Sequence, residues 1–346
     1  MSQDFDRIRR RYRRLVFLTL FLTFDLIMFG AFVRLTDSGL GCPDWPGCYS
    51  RITPIGALDD IRAAQEAMPF GPVSVAKAWI EMLHRYIASF LGLLIIVIMA
   101  MAWRYRRVLA QGPGLATALF FVVCLQGAFG AWTVTLKLMP VIVTTHLLGG
   151  MLMLAMTAWL AARQQRYAPV PADARHWRPW MILGLAILGL QIALGGWVST
   201  NYAALACMDF PTCHGEWIPE MDFAGGFSLV RALGELPSGE LISQSALTAI
   251  HWVHRNFAFV VFAYLGWLAW RLRSYDGLER LANGMLSVLV LQFATGLGSV
   301  VLQWPLLLAV IHNGGAALLV LLGTTALARI NRAGAASTPG RAKMAS

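Results

Sequence analysis

Four histidines, His84, His146, His254 and His312, occupy matched positions in two copies of one apolar module. Glu81-Met82-Leu83-His84-Arg85 lies over His251-Trp252-Val253-His254-Arg255 at an offset of 170, and His146 lies over His312 at an offset of 166. Imidazole is a standard axial ligand to heme iron, so a pair of them per module could grip one porphyrin. The duplicated chain would then hold two. A single membrane histidine is more commonly a polar residue satisfied in a helix contact; the matched recurrence favours ligation here. A proton relay or a copper site competes, although copper favours Met or Cys partners closer in sequence.

The neighbours of these histidines carry further chemistry. Arg85 and Arg255 directly follow His84 and His254. A cation at membrane depth needs a partner, and a guanidinium fork suits the carboxylates of a porphyrin's propionates. Snorkelling to the outer surface explains the arginines equally well. Glu81 lies one helical turn before His84, and its counterpart in the second copy is His251. A carboxyl group there could act as acid, base or stabiliser of a developing cation, or be an acid placed near a helix N-terminus. If the first holds, one module is reactive and the other moves electrons.

Four of the five cysteines form two Cys-x5-Cys pairs, Cys42 with Cys48 and Cys207 with Cys213, at an offset of 165. They lie in segments expected outside the cytoplasm, where thiols oxidise, so two short disulfide loops are expected. Zinc is the competing reading, although no histidine shares the spacing in the first copy. Cys124 reads as a small core residue. His176 and His214 read as surface residues without matched partners.

The elements that must position these groups are apolar helices. The chain of 346 residues is 58% hydrophobic and 13% charged, with a mean hydropathy of +0.60. Eight runs are long enough to cross a bilayer, at about 15–36, 76–102, 114–136, 140–162, 179–200, 246–270, 281–303 and 306–328. The predicted fold is an all-α integral membrane protein of two four-helix bundles, related as parallel repeats because each half has an even number of spans. The boundaries are a basic N-terminus 1–14, a first module 15–162, a polar linker 163–178, a second module 179–328 and a tail 329–346 expected to be disordered. Twenty of the 28 Lys and Arg residues fall in the two termini and in the loops after the even-numbered helices. That distribution places both termini in the cytoplasm and accounts for the net charge of +10 without nucleic acid. All four histidines then lie on helices that run inward, roughly 8–13 Å below the outer helix ends at 1.5 Å per residue. Trp177, Trp180 and Trp217 are expected at membrane interfaces. Leu125-Gln126-Gly127-Ala128-Phe129-Gly130, Leu190-Gln191-Ile192-Ala193-Leu194-Gly195 and Leu291-Gln292-Phe293-Ala294-Thr295-Gly296 repeat one stretch, whose glycines permit close approach of a helix or a flat ligand. Asp25, within the first apolar run, has no evident role.

Taken together, Glu-Met-Leu-His-Arg at 81–85, Thr-Thr-His-Leu-Leu-Gly-Gly at 144–150, His-Trp-Val-His-Arg at 251–255, Ile-His-Asn-Gly-Gly at 311–315 and the two cysteine pairs resemble heme A synthase, from about residue 15 to 328. That family oxidises the C8 methyl of heme O to a formyl group, giving heme A for terminal oxidases. The resemblance implies that His84 and His146 hold the substrate heme O, that His254 and His312 ligate a heme b cofactor, and that Glu81 is catalytic. It also implies that Cys42 and Cys48 matter for function and that the protein lies in a bacterial inner membrane. With water as the expected oxygen source, the methyl carbon would lose electrons and be hydrated to a gem-diol that collapses to the aldehyde.

The main rival is a non-enzymatic di-heme b membrane cytochrome passing electrons between quinol and a partner. It explains the histidines but not Glu81 in one module only. A transporter would place charged residues near mid-membrane, where few stand. The hydrophobic product of heme O synthase, protoheme farnesyltransferase, makes that enzyme an expected contact, and a homo-oligomer is compatible with the sequence.

Overall fold

In the computed structural model, which describes residues 2–165 and 167–334, the long apolar runs are helices. Helix α1 runs Ser2–Leu35, α2 Leu58–Ala67, α3 Val75–Arg104, α4 Arg106–Leu109, α5 Gly114–Thr135 and α6 Pro140–Gln164. Helix α7 follows at Arg178–Thr200, then α8 Phe223–Gly226, α9 Gln244–Leu272, α10 Glu279–Val301 and α11 Leu306–Ile330. No β-strand occurs among the described residues; only isolated bridges form, in the loops. Among the described residues seven helices are long and apolar enough to cross a membrane, so the protein is a multi-pass membrane protein. The eighth long helix, α9, has 29 residues but falls outside that set. Its first half carries Gln244, Ser245, Thr248, His251, His254, Arg255 and Asn256, which dilute its hydropathy.

The expected helix ends hold to within a few residues except at the N-terminus. The basic segment expected to precede the first span is itself helical, and α1 begins at Ser2. Arginine is a good helix former, and Asp4 sits in the first turn where the helix dipole favours an acid. Tyr12 and Val16 are fully buried against Ile98, Ala102, Ala116, Leu160 and Ala161, so packing extends the helix through the charged run. Of the tail expected to be disordered, 329–334 is described, with Arg329 and Ile330 closing α11; 335–346 lies outside the described residues.

Helices α1, α6, α7 and α11 pack on one another at the junction of the two modules, with α3 and α5 flanking one side and α9 and α10 the other. Their outward faces expose Phe21, Leu93, Phe121, Phe259 and Val290, as lipid-facing surfaces require. Cys124 also stands exposed on α5. The expectation of a core position was wrong because a helix hydrophobic all round has no sequence mark of which face meets lipid.

Local conformation repeats between the copies. Ser74 and Ser243 cap α3 and α9 by accepting from Lys77 N and Ala246 N. Lys137 and Leu138, between α5 and α6, and Gln303 and Trp304, between α10 and α11, all adopt positive φ. The peptide bonds Trp45–Pro46 and Phe210–Pro211 are both cis. The modules also touch at matched residues: Arg34 donates to Ser199 O at 2.6 Å and Tyr202 Oη donates to Asp37 Oδ1 at 2.7 Å.

Candidate functional site

Each histidine of the four sits in a notch left by a glycine on a neighbouring helix. A Cβ on Gly30 would lie 3.1 Å from His84 Nε2, one on Gly195 2.9 Å from His254 Cε1, and one on Gly296 3.3 Å from His312 Cε1. Gly130 stands in the same relation to His146, at a looser 3.6 Å. Gly30 and Gly195 match at offset 165, and Gly130 and Gly296 at 166. The glycines thus make room for the imidazoles themselves.

In the second module a cavity between α7, α9, α10 and α11 is lined by His254, His312 and Arg255, with walls that include Phe259 and Phe293. Arg255 Nε is buried there without a partner. Two imidazoles, apolar walls and one guanidinium donor fit an iron porphyrin with its carboxylates. Among the described residues no group of three or more His, Cys, Asp or Glu side chains is clustered for a metal ion. Pairs of imidazoles suit an iron whose remaining ligands come from a porphyrin.

The outer loops are fastened over the histidine helices in the same way in both modules. Both cysteine pairs are disulfide-bonded, Cys42–Cys48 and Cys207–Cys213. Their sulfurs are therefore not thiolates, and the zinc alternative is overturned. Arg85 Nη1 donates to Asp44 O at 2.9 Å and Gly47 O at 2.6 Å. Arg255 donates to Asp209 O and Thr212 O at 2.8 Å each and to Cys207 O at 2.9 Å. In both modules loop carbonyls satisfy the cation. Asp44 accepts from Tyr49 N and Ser50 N at 2.7 and 2.6 Å, and Asp209 from His214 N and Gly215 N at 2.8 and 2.9 Å. The Gly215 N–H, the Thr212 hydroxyl and the His214 N–H hold the Asp209 carboxyl well below the usual carboxylate range, against a smaller opposing effect of burial.

At the helix–loop junction the modules differ at Glu81, whose counterpart is His251. Glu81, 4% exposed, is ion-paired with Arg85 and accepts from Cys42 N at 2.9 Å. Its burial and its position in the second turn of α3 remove the reading of a solvated N-terminal acid. In the second module His251 Nδ1 takes the place of the carboxylate, accepting from Cys207 N at 3.4 Å. Glu81 and His251 are equivalent hooks between helix and loop, but only the first carries a charge pair.

The chain matches, over residues 13–324, the family model described as cytochrome oxidase assembly protein, COX15-CtaA. It is 40% identical over 309 residues to the heme A synthase of Shewanella oneidensis, spanning 88% of this chain and 92% of that protein. The chain belongs to the heme A synthase family. More distant members include the heme A synthases of Rhizorhabdus wittichii, 27% identical over 86% of this chain and 88% of that one, and of Caulobacter, 25% identical over 92% and 95%. The structure groups the singled-out residues in two places. Glu81, His84 and Arg85 share the first helix–loop junction with Cys42, while His254 and His312 share a cavity with Arg255. Trp177, at the N-terminal end of α7, is buried and packed edge-on to Trp267; Trp180 and Trp217 are exposed. Sequence reasoning passed over Asp44 and Asp209, which tie down the disulfide loops. Their signal was present as the single acid conserved in position between Cys42-Pro-Asp44 and Cys207-Met-Asp209.

Proposed function

We propose that this heme A synthase family member oxidises the C8 methyl of heme O to a formyl group, in the first module, with a heme b resident in the second. The observation that carries the proposal is the asymmetric hook: a buried carboxylate–guanidinium pair beside His84, and a neutral imidazole beside His254. In this reading His84 and His146 would hold the substrate iron and so fix the position of the ring in the first module. The close packing of Gly30 against His84 limits rotation of that imidazole. Glu81, kept in place by Cys42 N–H and Arg85, stabilises positive charge developing at the methyl carbon and takes a proton from the water that adds there. The disulfide loop lies over the site and screens it from bulk solvent.

In the second module His254 and His312 are the iron ligands of the heme b, and Arg255, through its free Nε–H, is the contact for a propionate. Arg85 is engaged in the same way, by loop carbonyls and by Glu81, and its propionate contact is through its Nε–H. The bound heme b supplies one-electron redox chemistry. The protein's own contribution there is to hold two imidazoles and to exclude water with apolar walls.

The same reading takes α9 as the eighth span, with the two modules as parallel repeats and both termini in the cytoplasm of a bacterial inner membrane. The contacts Arg34–Ser199 and Asp37–Tyr202 support it, because matched residues meet each other only near an axis relating two copies. Delivery of a hydrophobic substrate also favours contact with heme O synthase and tolerates assembly into a homo-oligomer.

Pigment extraction from the purified protein, followed by chromatography, tests the proposal. Heme b accompanied by heme O, a hydroxylated heme O or heme A is the expected outcome. Heme b alone, after expression with heme O available, would favour a di-heme cytochrome and sink the assignment.

A further inference from the structure

The two imidazole pairs differ in what stands behind them. His312 Nδ1 lies 3.0 Å from Thr295 Oγ1, and that hydroxyl reaches Leu291 O at 2.8 Å. A hydroxyl has one hydrogen, and a carbonyl can only accept. Thr295 Oγ1 therefore donates to Leu291 O and accepts at the imidazole. Nδ1 then carries the proton, and Nε2 keeps the lone pair an iron ligand needs. Thr295 is buried, so water does not compete for this relay. His254 Nδ1 instead faces the Gln191 amide nitrogen at 3.2 Å, while Gln191 Oε1 is buried without a partner, so no hydroxyl relay of this kind stands behind it. In the first module the matched places are taken by Phe129 and Leu26, whose side chains have no hydrogen-bonding atom. His146 Nδ1 is buried without a partner.

We propose that Thr295 is a positioning residue that locks His312 in its iron-binding tautomer, so that the second module retains its porphyrin. Phe129 at the matched place leaves His146 unlocked, so that the first module lets its porphyrin go. The inference rests on the ligand assignments made above. It gives the duplicated fold a division of labour: a synthase must keep its cofactor while discharging its product after each turnover, from two pockets of common descent. Hydrogen-bond partners behind a ligating imidazole fix its tautomer and orientation, and removing one weakens metal binding by about 10–100-fold. One hydroxyl is therefore enough to separate a resident group from a passing one.

The test is heme release from the full-length protein in detergent, loaded with hemin, to excess apomyoglobin, together with the reduction potential of the retained heme. The wild-type protein is expected to release in two phases. Thr295→Val should speed the slow phase at least about tenfold and shift the potential, and Thr295→Ser should restore both. Phe129→Thr should slow the fast phase by a similar factor. Release and potential unchanged in Thr295→Val, or a fast phase unchanged in Phe129→Thr, would overturn the proposal; where Thr295→Val is not recovered in folded form, Phe129→Thr decides. The underlying ligand assignment fails separately: a His312→Ala protein that keeps a wild-type slow phase removes the assignment, whatever Thr295 does.

Discussion

The backbone N–H of Cys42 donates to Glu81 Oε2 at 2.9 Å, joining the outer disulfide loop to the one carboxylate buried beside the first histidine pair. The carboxylate therefore has two tasks, holding the loop and carrying charge. Glu81→Gln separates them, since the amide oxygen still accepts from Cys42 while the ion pair with Arg85 is lost. If the charge is what the reaction uses, Glu81→Gln retains both hemes but converts heme O about 100-fold more slowly. Turnover in membranes, with heme content quantified in parallel, checks this; a wild-type rate with full occupancy would remove Glu81 from the chemistry.

Besides Glu81, the first loop is braced by Cys42–Cys48, by Asp44 and by Arg85. Replacing both cysteines with serine removes one brace and about 2 kcal/mol of loop constraint, which is enough to loosen the loop but not to unfold a membrane bundle. Conversion of heme O should fall while the heme held by His254 and His312 stays. The equivalent change at Cys207 and Cys213 should instead lower the content of the heme in the second module. Pigment analysis and activity on the two double variants distinguish these outcomes; identical effects would mean that the loops act only on global stability.

The glycine notches differ in tightness, and that difference is testable. A Cβ at Gly195 meets His254 Cε1 at 2.9 Å, closer than side chains approach, whereas one at Gly130 meets His146 Cε1 at an ordinary 3.6 Å. Gly195→Ala should turn the His254 ring away and weaken heme retention by about tenfold. Gly130→Ala should be tolerated. Absorption spectra of the reduced proteins report both, and equal heme loss in the two variants would contradict the notch geometry.

The helices and the matched histidines were legible because hydropathy and duplication leave repeated marks in the chain. Less legible was whatever depends on which face of an apolar helix turns inward. Cys124 looked like core and faces outward, and spacing did not mark that protein covers Trp177 while Trp180 stays exposed. Thr295 lay in a motif noticed for its glycines, and its hydroxyl gains meaning only when α10 and α11 pack and bring His312 alongside. The arginines were recognised as cations in need of partners. That the partners are loop carbonyls follows from how the disulfide turns fold back, which spacing alone does not encode. The α1 extension escaped because its charges read as a topology signal, while Tyr12 and Val16 bury one side of it.

Acid should act unequally on the second loop and on a variant that lacks its anchor. Asp209 is held ionised by the Gly215 and His214 N–H groups and the Thr212 hydroxyl, so its folded value lies below the ordinary value of about 4. A depressed carboxyl stabilises the folded loop fully above the unfolded value and loses that contribution as pH falls through the folded one. The side chain is half-buried and partly reached by solvent, so the contribution is modest. Between pH 7 and 5 the loop should therefore be insensitive to pH, with loosening confined to more acid solution. Asp209→Asn should be looser throughout and lack the acid-dependent step. Trp217, exposed in that loop with its carbonyl accepting from Trp252 Nε1 at 3.0 Å, is a fluorescence reporter for both; a transition near neutral pH abolished by Asp209→Asn would reverse the expected sign.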